Sequence, residues 1–135
     1  MKILLQIPLL TIILVIFNIV LFNDPNAFRP DAGAVFELGL PSGGVWMATV
    51  SDLIVIGGVL LLYLELFKST RTGVGAIIEH VFSLIIFVVF LVEFLIVPGA
   101  ANSTCVILML IALLDVVGGF TVTISTARRD MAFGG

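Results

Sequence analysis

Residues 77–126 read IIEHVFSLIIFVVFLVEFLIVPGAANSTCVILMLIALLDVVGGFTVTIST. Two apolar runs are joined by a break of a few residues at Pro98-Gly99. Each run is close to the roughly 20 residues that a helix needs to cross bilayer hydrocarbon. Glu93 lies inside the first run and Asp115 inside the second. No Lys or Arg occurs between Arg71 and Arg128. Two carboxylates therefore sit in membrane-grade sequence with no cation near them along the chain.

The rest of the chain has the same character. Of its 135 residues, 61% are hydrophobic and 11% charged. Soluble domains are about 45–50% apolar and about 25% charged. With a mean hydropathy of +1.32, the chain cannot hide its surface from water, so its expected solvent is lipid. The net charge is −3. There is no basic patch to neutralise phosphates, and nucleic acid is not an expected partner. One cysteine, Cys105, excludes an intrachain disulfide and any multi-cysteine metal site. It reads as a small apolar packer near a helix end.

Four spans follow from the apolar runs, at about residues 3–22, 45–67, 77–97 and 104–126. The expected fold is an all-α, four-helix transmembrane bundle forming one membrane domain over residues 1–135. In the first span, Pro8 lies near the start, where a missing N–H costs least. No small-residue cleavage pattern comes after the run, so it reads as a retained helix and not as a removed signal. Asn18 is an amide in lipid and is expected to point at another helix.

Residues 23–44 read as the one long outer loop, with Pro25, Pro30 and Pro41 and four glycines. Its apolar residues suit the headgroup layer or a fold back over the bundle. Pro41-Ser42-Gly43-Gly44 is turn chemistry leading into the second span. Trp46 there reads as an interfacial anchor. Thr49, Asp52, Ile56, Val59 and Tyr63 recur at spacings of three and four, as one helical stripe. Glu65 lies on a different face, close to Lys68 and Arg71, and is expected to snorkel or pair at the interface. Residues 68–76 form a polar inner loop. In the third span Glu79, Ser83, Ile86, Phe90 and Glu93 make a packing seam. In the fourth, Ala112, Asp115, Gly119 and Thr123 share a small, polar face. Gly57-Gly58 and Gly118-Gly119 are mid-helix, where small residues let backbones approach.

Lys2, Lys68, Arg71, Arg128 and Arg129 fall on one side of this reading, and only Arg29 on the other. Positive-inside counting puts both termini, and the tail at 127–135, in the cytoplasm. The expected location is a cytoplasmic membrane of the bacterial inner-membrane kind. Depth counting then puts Asn18, Asp52, Glu93 and Asp115 in the outer half, from four helices. Carboxylates in hydrocarbon cost about 2.5–3.5 kcal/mol each on insertion scales. These four are the candidates for binding an ion or pairing with a partner. Glu65, Lys68, Arg71 and Glu79 are expected to form ordinary ion pairs at the inner interface. His80 reads as a structural histidine near the lipid surface.

No hydrolase, zincin, C-x-x-C or phosphate-binding glycine motif occurs, and no helix carries regularly spaced Arg. The chain is therefore expected to be non-enzymatic, without cofactor or metal. The expected function is that of an accessory or structural subunit that packs laterally with other transmembrane subunits or with copies of itself. The alternative is a small proton or cation channel or transporter that uses the intramembrane carboxylates.

Overall fold

The computed structural model describes residues 6–68 and 73–134. Lys2, Arg71 and the expected start of the first span at residue 3 lie outside the described residues. Among the described residues the protein is mostly helical. The helices are α1 (Leu10–Asn23), α2 (Val50–Lys68), α3 (Val74–Ile96) and α4 (Ser103–Gly134). Strands β1 (Phe36–Gly39) and β2 (Val45–Ala48) pair antiparallel between α1 and α2, and a 3-10 turn, Pro98–Ala100, links α3 to α4. Three helices are long and apolar enough to cross a membrane: α2 with 19 residues, α3 with 23, and the first 27 of α4. The described part of α1 is shorter, at 14 residues.

The helix ends have local causes. Pro8 cannot donate to a helical ladder, so the chain turns there, and Thr11 N–H donates to Pro8 C=O at 3.0 Å. Helix α1 therefore starts two residues after the proline instead of running through it. Asp24 stops α1 because Pro25 comes next and disfavours helix in the residue before it. Asn102 caps α4, its Oδ1 accepting from Cys105 N–H at 2.9 Å. Thr49 and Asp52 form a reciprocal capping box on α2. Asp52 Oδ2 accepts from Thr49 N–H at 3.0 Å, and Asp52 N–H donates to Thr49 Oγ1 at 3.2 Å.

Three expectations are corrected here. Residues 45–48 are a strand and not the first turn of α2, so Trp46 stands on β2. The Pro41-Ser42-Gly43-Gly44 turn reverses the chain instead of leading into a helix. Gly43 N–H donates to Leu40 C=O at 2.9 Å, and Gly43 takes φ +88°, a region that glycine enters without strain. The capping box then fixes the helix start at Val50. The second correction concerns the stripe on α2. Ile56, Val59 and Tyr63 are 43%, 51% and 67% exposed and face away from the bundle, while Ile54, Gly58 and Glu65 are buried. The third is the end of the last helix. It continues past residue 126 to Gly134, because nothing in Ala127-Arg128-Arg129 breaks a helix.

Helix α4 packs along α3 and against α2, and α1 closes the bundle against α2 and α3. The core runs from Leu10, Ile13 and Phe17 of α1 through Ile54 and Phe90 to Leu108 and Ile111 of α4. Phe17 stacks with Phe28 at 4.8 Å and meets Phe90 edge-on at 6.0 Å. Gly58 and Gly118 allow close approach of helices within this bundle. A Cβ on Gly58 would stand 3.1 Å from Leu108 Cδ2 and 3.3 Å from Ile111 Cδ1, and one on Gly118 2.9 Å from Leu66 Cδ2. Gly58→Val is expected to lose about 1–3 kcal/mol through overpacking. Gly57→Ala meets only ordinary contact with Ile13 at 3.6 Å and should be neutral or stabilising, since alanine is the better helix former by about 1 kcal/mol. Denaturation of the two variants in detergent checks the contrast. Equal loss in both would mean that α2 and α4 are not this close at Gly58.

Candidate functional site

The polar side chains inside the bundle form two groups on opposite sides of an apolar middle. The lower group starts from Pro8. Because the proline breaks the helix, Leu9 N–H is left without a helical acceptor. Glu65 Oε2 accepts from it at 2.8 Å. A carboxylate at the start of α1 also complements the helix dipole. Lys68 reaches Glu65 Oε1 at 3.6 Å and Glu79 Oε1 at 3.5 Å. The ammonium thus sits between two buried carboxylates, of which only 3% and 8% of the side-chain surface is exposed. Together these contacts tie α1, α2 and α3 at one level. Glu65, expected to snorkel or pair, pairs with Lys68 and does not snorkel, because the buried face of α2 runs through it.

Asp115 lies next to this group. It is 1% exposed, on the inward face of α4, with the Ser83 hydroxyl beside it. Ser83 donates its one proton to Glu79 C=O at 3.1 Å. The hydroxyl can therefore accept from a protonated Asp115 but has nothing left to donate to a charged one. Among the described residues, Asp115 Oδ2 has no hydrogen-bond partner. Glu65, Lys68 and Glu79 are its charged neighbours among the described residues, two acids and one ammonium. On the same side His80 Nε2 and Thr123 Oγ1 are 2.8 Å apart, joining α3 to α4, and the His80 ring packs on Phe120 at 4.6 Å. His80 is 2% exposed, so it belongs to the interior and not to the lipid surface.

The upper group is smaller. Glu93 of α3 is half-buried, with Asn18 of α1 as hydrogen-bond neighbour. Its Oε2 has no hydrogen-bond partner among the described residues. Asn18 also donates to Leu14 C=O at 2.9 Å. Cys105 is fully buried in the core, with its thiol toward Phe90 C=O at 3.8 Å. Beyond this group an open cavity of about 670 Å³ lies between the loop that follows α1 and the starts of α2 and α4. Arg29, Asp52, Ser51 and Thr104 line it, and the Ser51 and Thr104 hydroxyls are hydrogen-bonded to each other.

The four candidates Asn18, Asp52, Glu93 and Asp115 are therefore not gathered in one place. Asp52 is occupied in the capping box. Asn18 and Glu93 form one pair. Asp115 belongs with Glu65, Lys68 and Glu79. Ser83 and Glu93, which mark the two groups on α3, are ten residues apart, or about 15 Å at about 1.5 Å per residue. Ile86 and Phe90, both buried, fill the stripe between them.

Depth counting sets a level but not a direction around the helix axis, and Asp115 faces Ser83. The partners that sequence reasoning missed, Ser83 and the Leu9 N–H, carried weak signals. Ser83 stands one turn after Glu79 on the same seam, and Pro8 releases an N–H that something must cap. Among the described residues, no three of His, Cys, Asp and Glu are gathered as metal ligands. The space between Glu65 and Glu79 is taken by Lys68. Compared with known protein families, curated proteins and solved structures, the chain matches none.

Proposed function

We propose that this chain is a non-enzymatic four-helix transmembrane bundle with both termini in the cytoplasm, and that it takes up and passes a proton at Asp115. One observation carries the reading. Asp115 is a carboxyl enclosed by its own bundle, with an oxygen that no group satisfies, at the end of a polar string that starts at Lys68. Intramembrane acids that face a bundle interior mark proton and ion pathways in general. A proton suits the site better than a metal ion, because an ammonium already stands between the two glutamates. The inner placement of Lys68, Arg128 and Arg129 supports cytoplasmic entry. The apolar stretch at Ile86 and Phe90 then separates that entry from Glu93 and the outer cavity, as a gate would.

Vesicles of purified protein with a pH dye inside test this. An imposed pH gradient should collapse faster than in protein-free vesicles, and equal rates would remove the proposal.

A second reading keeps the chain as an accessory subunit in a larger membrane assembly or a homo-oligomer. One observation favours it: Glu93 is only half-buried, so part of its side chain is open on the outside of the bundle, where a neighbouring helix could pack. Native mass spectrometry on gently extracted protein separates the two. Other subunits at fixed stoichiometry, lost on Glu93→Ala, would favour the assembly. A lone chain or homo-oligomer that conducts protons would favour the first reading.

A further inference from the structure

We propose that the β1–β2 hairpin is an interfacial anchor, lying in the outer headgroup layer of a phospholipid bilayer with its large apolar side chains, Phe36, Leu38, Leu40, Val45, Trp46 and Met47, in contact with lipid. Residues directly opposed in an antiparallel pair project from the same face. The register opposes Leu38 to Trp46 and Phe36 to Ala48, and strand alternation puts Leu40 with them. The four large side chains are each between 37% and 48% exposed. The Phe36 and Trp46 rings meet edge-on at 5.6 Å. Glu37 is the one charged residue of the ribbon; it stands on the opposite face with Val45 and Met47, which are 59% and 56% exposed, so both faces of the ribbon are apolar and open.

Continuity names the occupant. Val35, just before β1, lies in one groove with Ile16, Val20, Leu53 and Leu60 of α1 and α2. Ile16, Leu53 and Leu60 are outward-facing helix side chains. Whatever covers them also reaches the base of the hairpin, and for apolar helix flanks in a bilayer that is lipid. The hairpin joins the end of α1 to the start of α2, so it sits where those helices leave the hydrocarbon.

The backbone sets the depth. A two-stranded ribbon has two open edges, whose N–H and C=O groups need water or another strand. Hydrocarbon offers neither. The headgroup layer offers water to the edges and apolar contact to the face, and it is where Trp is enriched in membrane proteins.

Trp46 is the chain's one tryptophan, so its fluorescence reads the hairpin directly, with Trp46→Phe as the blank. The full chain is reconstituted in phosphatidylcholine vesicles containing lipids brominated either high or deep on the acyl chain. The expected result is blue-shifted emission, stronger quenching by the shallow bromines than by the deep ones, and little quenching by aqueous iodide. Leu38→Glu, directly opposite Trp46, should shift emission to the red and admit iodide.

Iodide quenching like that of free tryptophan, without lipid quenching, would put the hairpin in water and overturn the proposal. So would quenching by neither agent, which means that protein, such as a second copy, covers the face. Stronger quenching by the deep bromines would overturn it as well. The inference rests on the membrane placement proposed above. Flotation of the same sample with its vesicles separates the two, since protein that does not float fails both, while protein that floats leaves only the hairpin in question.

Discussion

Lys68→Met is expected to destabilise the bundle by about 3 kcal/mol or more, measured by denaturant titration in detergent. Removing one member of a buried ion pair costs about 3–5 kcal/mol, because the other member stays buried without its counter-charge. Here one ammonium serves two carboxylates, at 3.6 and 3.5 Å. Both glutamates are nearly enclosed, so water cannot take the place of Lys68. Methionine matches the lysine stem in length and fills most of its volume, which keeps cavity formation out of the result. A rescue separates charge from packing. Adding Glu65→Gln and Glu79→Gln removes the two charges that Lys68 serves, while the amide carbonyl introduced at position 65 can still accept from Leu9 N–H. The triple variant should recover most of the loss. A Lys68→Met protein within about 1 kcal/mol of the parent would mean that the ammonium is a solvated neighbour and not a tie between α2 and α3.

Each residue type signals something different in lipid, and that decides how far the sequence could be read. Apolar runs of about 20 residues announce spans, and residues 45–126 carry three such runs, where the structure has α2, α3 and α4. The inward faces of α3 and α4 were also legible. Glu79, Ser83, Ile86 and Phe90 are buried, as are Ala112, Asp115 and Thr123. Polar and small residues at helical spacing mark the interior there, because a polar group facing lipid is costly.

The same rule failed on α2 because Asp52 broke it. Its carboxylate is held by its own capping box at the helix end, so it says nothing about which face packs. The stripe drawn through it, over Ile56, Val59 and Tyr63, faces outward. Hydrophobic periodicity could not correct the error, since α2 is apolar all round. Glu65, set aside as interfacial, was the better guide to the buried face.

The hairpin was missed for a different reason. Pro41-Ser42-Gly43-Gly44 signals a turn but not the kind of element after it, and Val45-Trp46-Met47-Ala48 is as acceptable in a transmembrane helix as in a strand. Only the Thr49–Asp52 capping pattern, threonine with an acid three residues later, could have placed the helix start. The site was legible as an inventory and not as an arrangement. The carboxylates were readable one by one, but their grouping depends on rotation about each helix axis.

Asp115→Asn is expected to reduce proton flux to the leak of protein-free vesicles while leaving the fold within about 1 kcal/mol of the parent. The two effects separate because the amide copies the shape of the acid. Its NH₂ can donate to Ser83 Oγ, the one role left open by a hydroxyl whose own proton goes to Glu79 C=O at 3.1 Å. What the amide cannot do is gain and lose a proton near neutral pH. A structural acid would tolerate the exchange in every assay, whereas a proton carrier fails only in transport. Asp115→Ala should be no worse in flux but worse in stability, since it leaves a cavity and strips Ser83 of its neighbour. Asp115→Glu keeps the carboxyl, adds a methylene to a site already 1% exposed, and should retain part of the flux at an overpacking cost of about 1–3 kcal/mol. Flux that survives Asp115→Asn would move the transport role away from this residue. Flux lost in Asn and Ala, kept in part by Glu, with the fold intact in Asn, would tie transport to the carboxyl that the bundle encloses with one oxygen unpartnered.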